Sequence, residues 1–112
     1  MGDRGNIIVD GVYLYSHWTG SKLPETLKSA LNRKLRWDDS SYLTRMIFCE
    51  MVKDDIDGEI GFGISKTKGD GGVDITVDTQ AQIIRYGKKI YTFEGYIELE
   101  NANKELLGDD DK

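Results

Sequence analysis

One cysteine, one proline and one histidine in 112 residues exclude several classes of protein at the outset. A single thiol, Cys49, cannot close an internal disulfide, so the chain is expected to rely on packing and to work in a reducing cytoplasm. Cys49 lies in the apolar run Met46-Ile47-Phe48-Cys49 and is expected as a small buried hydrophobe rather than a reactive thiol. One Cys and one His cannot supply the usual ligands of a structural zinc, so no metal is expected, and nothing in the chain calls for a cofactor. No apolar run approaches the roughly 20 residues needed to cross a bilayer, which argues against a membrane partner. No apolar core follows Met1-Gly2-Asp3-Arg4-Gly5-Asn6, so secretion is not expected. Asn6 also stands where a myristoylation signal needs Ser or Thr.

The length is that of one domain, with a thin core, because a chain this short buries only about two thirds of its surface. The net charge of −5 is unevenly spread. Residues Glu98 to Lys112 hold six acids and two lysines, whereas Lys22 to Arg36 hold five bases and one acid. The acidic balance disfavours nucleic acid as a partner. The basic stretch reads first as a solvated helix face, with room for one phosphate-like group.

Asn6 to Val9 and Val12 to Trp18 read as strands around an Asp10-Gly11 hairpin turn. Leu23, Leu27, Ala30, Leu31 and Leu35 follow helical spacing behind Pro24, which predicts a helix over 23–35. Asp38-Asp39-Ser40-Ser41 offers N-caps for a second helix over 40–53. Its apolar residues cover most of its circumference, which predicts a central helix. Strands are expected around 60–64, 73–78, 82–86, 89–93 and 95–99, with a flexible turn over 66–72 and a Gly87-Lys88 hairpin. Strands following two adjacent helices predict an α+β domain over 1–100, with a mostly antiparallel sheet and both helices packed on one face. Residues 101–112 read as an acidic tail, mobile or a frayed helix, that adds little stability.

Two clusters are candidates for chemistry. Tyr15, His17, Trp18, Thr19 and Gly20 place the lone histidine at a strand-to-helix junction. There an imidazole can act near neutrality and the N–H groups of Thr19-Gly20-Ser21 can meet an anion. Arg36, Trp37 and Asp38 lie between the helices, about 20 Å away along the first helix at 1.5 Å per residue. Their plain reading is structural, with Trp37 covering the core edge and Asp38 or Asp39 capping the second helix. Asp54-Asp55-Ile56-Asp57-Gly58-Glu59 fails as a calcium loop, because Lys53 and Ile64 occupy its terminal ligand positions. Gly61 and Gly63 bare one face of their strand, inviting close approach of the second helix or of a ligand.

The elements Met1-Gly2-Asp3-Arg4, Tyr15-Ser16-His17-Trp18-Thr19-Gly20 and Arg36-Trp37-Asp38-Asp39, with an echo in Gly61-Phe62-Gly63-Ile64, resemble an uncharacterised group of small phage and prokaryotic proteins. The resemblance covers about the first two thirds of the chain. It implies a cytoplasmic accessory protein, phage-encoded, and transfers no catalytic residues.

The expected function is a non-enzymatic binding module for a small anionic, nucleotide-like ligand or a host protein. The residues that would carry it are Arg4, His17, Trp18, Arg36, Trp37 and Asp38. The alternative is a metal-independent hydrolase or phosphodiesterase with His17 as acid–base and Arg4 or Arg36 steadying developing charge. Homo-oligomerisation through an open sheet edge is a third expectation.

Overall fold

The computed structural model describes residues 3–59, 61–67 and 72–108. The chain begins with β1 (Gly5–Val9) and β2 (Val12–Ser16), paired antiparallel across the expected two-residue turn. Asp10 and Gly11 both take positive φ, 50° and 91°, the type I′ geometry whose twist suits a hairpin.

A 3-10 turn (Gly20–Lys22) leads into α1 (Leu23–Leu31), which ends short of the predicted residue 35. The indole N–H of Trp37 folds back and donates to the carbonyl of Leu31 at 3.0 Å, satisfying a group that the helix end leaves open. Lys34 and Arg36 take positive φ on the way, and Leu35, expected on the apolar face, stands exposed.

α2 (Ser40–Val52) begins where predicted, with the Asp39 carboxylate accepting the Tyr42 N–H. It is not the central helix that its composition suggests. Only Leu43, Ile47 and Met51 are buried, a single stripe at four-residue spacing, while Tyr42 is 47% exposed. Cys49, expected in the core, is exposed. At about 100° per residue it lies some 200° around the helix from Ile47.

The remaining strands are β3 (Phe62–Ser65), β4 (Val73–Asp78), β5 (Ile83–Tyr86) and β6 (Lys89–Thr92). They complete a six-stranded sheet in the order β3-β2-β1-β4-β5-β6, antiparallel throughout except for the β1–β4 pair. Ile60 and Lys68–Gly71, which the sequence assigns to a strand start and a turn, lie outside the described residues.

The segment predicted as a last strand over 95–99 is instead α3 (Phe93–Ile97). Thr92 caps it by accepting the Gly95 N–H at 2.9 Å, and the helical spacing sends Phe93 and Tyr96 together into the core. Beyond it, where a mobile tail is expected from residue 101, α4 (Ala102–Leu107) packs Ala102 and Leu106 into the same core. The Asp109–Asp111 run lies outside the described residues. Among the described residues no helix is long and apolar enough to cross a membrane.

One hydrophobic core holds the elements together. Ile7, Val9, Leu14, Ile75, Val77 and Ile84 from the strands join Leu23, Leu27 and Leu31 of α1 and the stripe of α2.

Asp10 at the hairpin tip ties three elements. Its carboxylate accepts the Thr79 N–H at 3.0 Å and the Thr79 hydroxyl at 2.5 Å, and it is also hydrogen-bonded to Ser40 at the start of α2. Burial pushes this carboxyl up, but the bonds from Ser40 and Thr79 outweigh it and hold it below the ordinary carboxylate value. A depressed folded value means stability that is present above the unfolded Asp value of about 3.9 and lost as pH falls through the folded one. Asp10→Asn should therefore melt a few degrees below the wild type at neutral pH. The gap should narrow below about pH 4, which thermal melts across an acid pH series would reveal.

Candidate functional site around Trp18

The register of the hairpin assembles the first cluster. Tyr15 pairs with Asn6 on one side and Gly63 on the other. Two residues on, just past the end of β2, the His17 N–H donates to the Gly61 carbonyl at 2.8 Å. Residues two apart on a strand share a face, so Tyr15 and His17 meet: the phenol oxygen lies 3.0 Å from His17 Nδ1. Arg4, immediately before β1, reaches the same nitrogen, with Nε donating at 3.2 Å.

That arrangement limits what the histidine can do. A guanidinium has only donors, so Nδ1 must present its lone pair to Arg4, and the hydrogen of the neutral ring sits on Nε2. The lone pair is thus already engaged. Neither ring nitrogen is left as an acceptor in this tautomer, and among the described residues no carboxylate bonds to the ring. The hydrolase alternative calls for an arginine and a carboxylate at His17; Arg4 is bonded to the ring, and among the described residues no carboxylate is.

Trp18 turns away to the other side of the junction. Its ring meets His17 edge-on, with centroids 5.9 Å apart, and lies flat against Gly61. A Cβ on Gly61 would fall 2.4 Å from the indole Cζ3, so the bare glycine position receives the tryptophan, not the second helix or a ligand as expected. Gly63 has open space around it. Although well supported, Trp18 remains 47% exposed.

The anion-binding reading of Thr19-Gly20-Ser21 meets an internal occupant. The Asp3 carboxylate accepts both the Ser21 N–H at 3.0 Å and the Ser21 hydroxyl at 2.5 Å. The Gly20 N–H donates to the Asp3 carbonyl at 2.6 Å, and the Thr19 N–H to the Ser16 hydroxyl at 2.9 Å. An external anion would have to displace the chain's own carboxylate.

Beside Trp18 opens a cleft of about 550 Å³ between the start of α1, the end of α2 and β3. Trp18, Met51 and Phe62 give it apolar walls. Its charged lining is two lysines, Lys22 and Lys53, against four acids, Glu25, Glu50, Asp54 and Asp55. Lys53 is bound to Glu50 at 2.7 Å, which keeps its ammonium above the ordinary lysine value, and Glu25 accepts the Ala102 N–H at 2.6 Å. With Lys53 and Glu50 paired, Lys22 is outnumbered by Glu25, Asp54 and Asp55, so the lining is acidic on balance. Sequence reasoning missed this cleft. The acidic run after an apolar helix was its one visible trace.

Arg36, Trp37 and Asp38 form no part of it. Trp37 stacks edge-on against Phe93 at 5.5 Å and caps α1. Arg36 lies over the Tyr42 ring at 4.6 Å and within 3.9 Å of Asp39, while Asp38 stands exposed in the loop. Among the described residues, no group of three acids, histidines or cysteines is placed to share a metal ion. Set against known proteins, the chain matches no family model, no curated protein and no solved structure.

Proposed function

We propose that this is a non-enzymatic binding module, an accessory protein whose ligand surface is the Trp18 cleft. The observation that carries the reading is a half-exposed tryptophan, braced on Gly61 and His17, lining a cleft with Met51 and Phe62 whose charged residues are mostly acidic. A rigid aromatic beside a desolvated pocket is the usual anchor of a protein contact. The acidic lining and the occupancy of the Ser21 donors by Asp3 favour a protein partner over an anionic, nucleotide-like ligand. The partner would present an apolar side chain with a cation beside it. The engaged lone pair of His17 weighs against acid–base catalysis, and Arg4 and His17 serve to hold Trp18 in place. We also take the helices to cover one face of the sheet, because the buried strand residues alternate with the outward Tyr13 and Tyr15 and share their core with α1 and α2.

The test is a heteronuclear NMR titration that follows both tryptophan indole signals. The ligands are short peptides pairing Leu or Phe with Lys or Arg, and a panel of mono- and dinucleotides. The cationic peptides should move the Trp18 indole and leave that of Trp37 in place. Trp18→Ala should weaken their binding at least tenfold, the loss of an anchor being about 2 kcal/mol. A nucleotide that binds and moves Trp18 would restore the anionic reading. Binding that ignores both Trp18 and its substitution would place the site elsewhere.

A further inference from the structure

The sheet has two outer strands, and they are treated differently. At β6, Lys89 donates to the Glu105 carbonyl at 2.5 Å and the Tyr91 hydroxyl to the Glu105 carboxylate at 2.9 Å, so that strand carries a charged residue and is tied through its side chains to α4. β3 carries the sequence Phe-Gly-Ile-Ser, without charge or proline, and its Ile64 is 60% exposed. An uncharged, unbulged edge with an exposed apolar side chain is a template for strand addition.

The hydrogen-bond phase of this edge follows from the register. The His17 N–H bonds to the Gly61 carbonyl, so that pair is a bonded one, and in an antiparallel ladder bonded pairs recur every second residue. Gly63 opposite Tyr15 and Ser65 opposite Tyr13 thus turn their backbone groups inward to β2, whereas Phe62 and Ile64 turn theirs outward. Both side chains lie on the side of Leu14 and Ser16, their register partners, and Phe62 packs against the core.

We infer that two copies of this chain pair antiparallel through β3, about a two-fold axis at Gly63. This register sets Phe62 of each copy opposite Ile64 of the other. Those are the residues whose N–H and C=O groups point outward, so both cross-copy pairs are bonded and both are apolar. The Gly63 residues meet face to face without a clash, having open space where a side chain would stand. The antiparallel direction also brings Glu59, at the entry to β3, within one residue of the position opposite Lys66 at the exit of the other copy. A parallel partner would set like charges together. Shifting the register by one residue would oppose Phe62 to Gly63 on the wrong faces. A four-residue edge makes a small interface, so the dimer is weak, with a dissociation constant on the order of 100 µM.

Sedimentation of the full chain, from about 10 µM to about 1 mM, should show mass rising from monomer toward dimer. Ile64→Lys, at an exposed position, should keep its fold by circular dichroism and weaken association at least tenfold, while Ile90→Lys on the other edge should leave it unchanged. A second measurement needs no variant. On concentrating the wild type, the Phe62 and Ile64 amides should gain hydrogen-exchange protection, while the already bonded Gly63 and Ser65 amides should change little. A wild type that stays monomeric at the highest concentration would overturn the inference. So would association that survives Ile64→Lys, or association without protection at Phe62 and Ile64.

Discussion

Replacing Gly20 with alanine is expected to lower the melting temperature by more than about 10 °C and to loosen Arg4 from His17. A Cβ at position 20 would lie 2.3 Å from the Arg4 carbonyl oxygen, 2.6 Å from its carbon and 2.9 Å from the Asp3 oxygen. All three are backbone atoms, so no side chain can rotate away. They cannot readily retreat either. The Arg4 carbonyl accepts from the Gly72 and Val73 N–H groups, at 3.2 Å each, at the start of the β1–β4 pairing, and the Asp3 carbonyl accepts the Gly20 N–H. Overpacking costs about 1–3 kcal/mol, and each hydrogen bond displaced costs about 1 kcal/mol more. At roughly 4–8 °C per kcal/mol for a domain near this size, the sum exceeds 10 °C. Gly63→Ala is the control: with nothing within 4 Å of its Cβ, it should melt within a few degrees of the wild type. Equal melting of the two variants would show that the segment before β1 is not held against the 3-10 turn.

The second large effect is expected at the C-terminal end. Leu106→Ala should cost about 2–4 kcal/mol, and deletion from Asn101 onward should lower the melting temperature by more than about 10 °C. Ala102 is fully buried and Leu106 is 4% exposed. The attachment to α1 is reciprocal. Ala102 N–H donates to the Glu25 carboxylate at 2.6 Å, and the Asn103 side chain accepts the Glu25 N–H at 3.0 Å, so each helix start is capped by the other. Lys28 donates to the Leu99 carbonyl, and Tyr96 to the Pro24 carbonyl at 2.8 Å, in the same seam. Thermal melts of the two variants decide the matter. A drop of only a few degrees in both would mean that the segment contributes as little as its composition alone predicts.

The elements that the sequence located well are those built from neighbours. The Asp10-Gly11 and Gly87-Lys88 turns, the Asp39 cap and the start of α1 at Pro24 depend on contacts within a few residues, and all stand where predicted. The alternation of Val73, Ile75 and Val77 likewise reports a strand. Composition failed where one helix face had to be chosen. α2 has enough apolar residues to be buried all round, but its neighbours cover one stripe and leave Cys49 outside. At 95–99 the side-chain pattern fits a strand, and the helix is set instead by the cap at Thr92 and the burial of Phe93 and Tyr96.

The candidate site divides along the same line. That Arg4, His17 and Trp18 would be of interest was legible, and the first two share a hydrogen bond. That the acceptor nitrogen of His17 is engaged, that Asp3 fills the anion position and that Trp18 rests on Gly61 was not legible. Each depends on residues between 13 and 43 positions apart, brought together by the sheet register. For the Trp37 cluster the structural role at the core edge was legible, and only the partner, Phe93 from the far end of the chain, was not.

By itself, then, the sequence determined the turns, the caps, the alternating strands and the α+β class, because backbone preference and side-chain period act over a few residues. Only the tertiary structure decided which apolar faces are covered, that α4 belongs to the core, and that the Trp18 cleft has an acidic lining. Those outcomes depend on pairs such as Glu25 with Asn103, 78 residues apart, and no local preference encodes a contact whose partner is set by the packing of the whole chain.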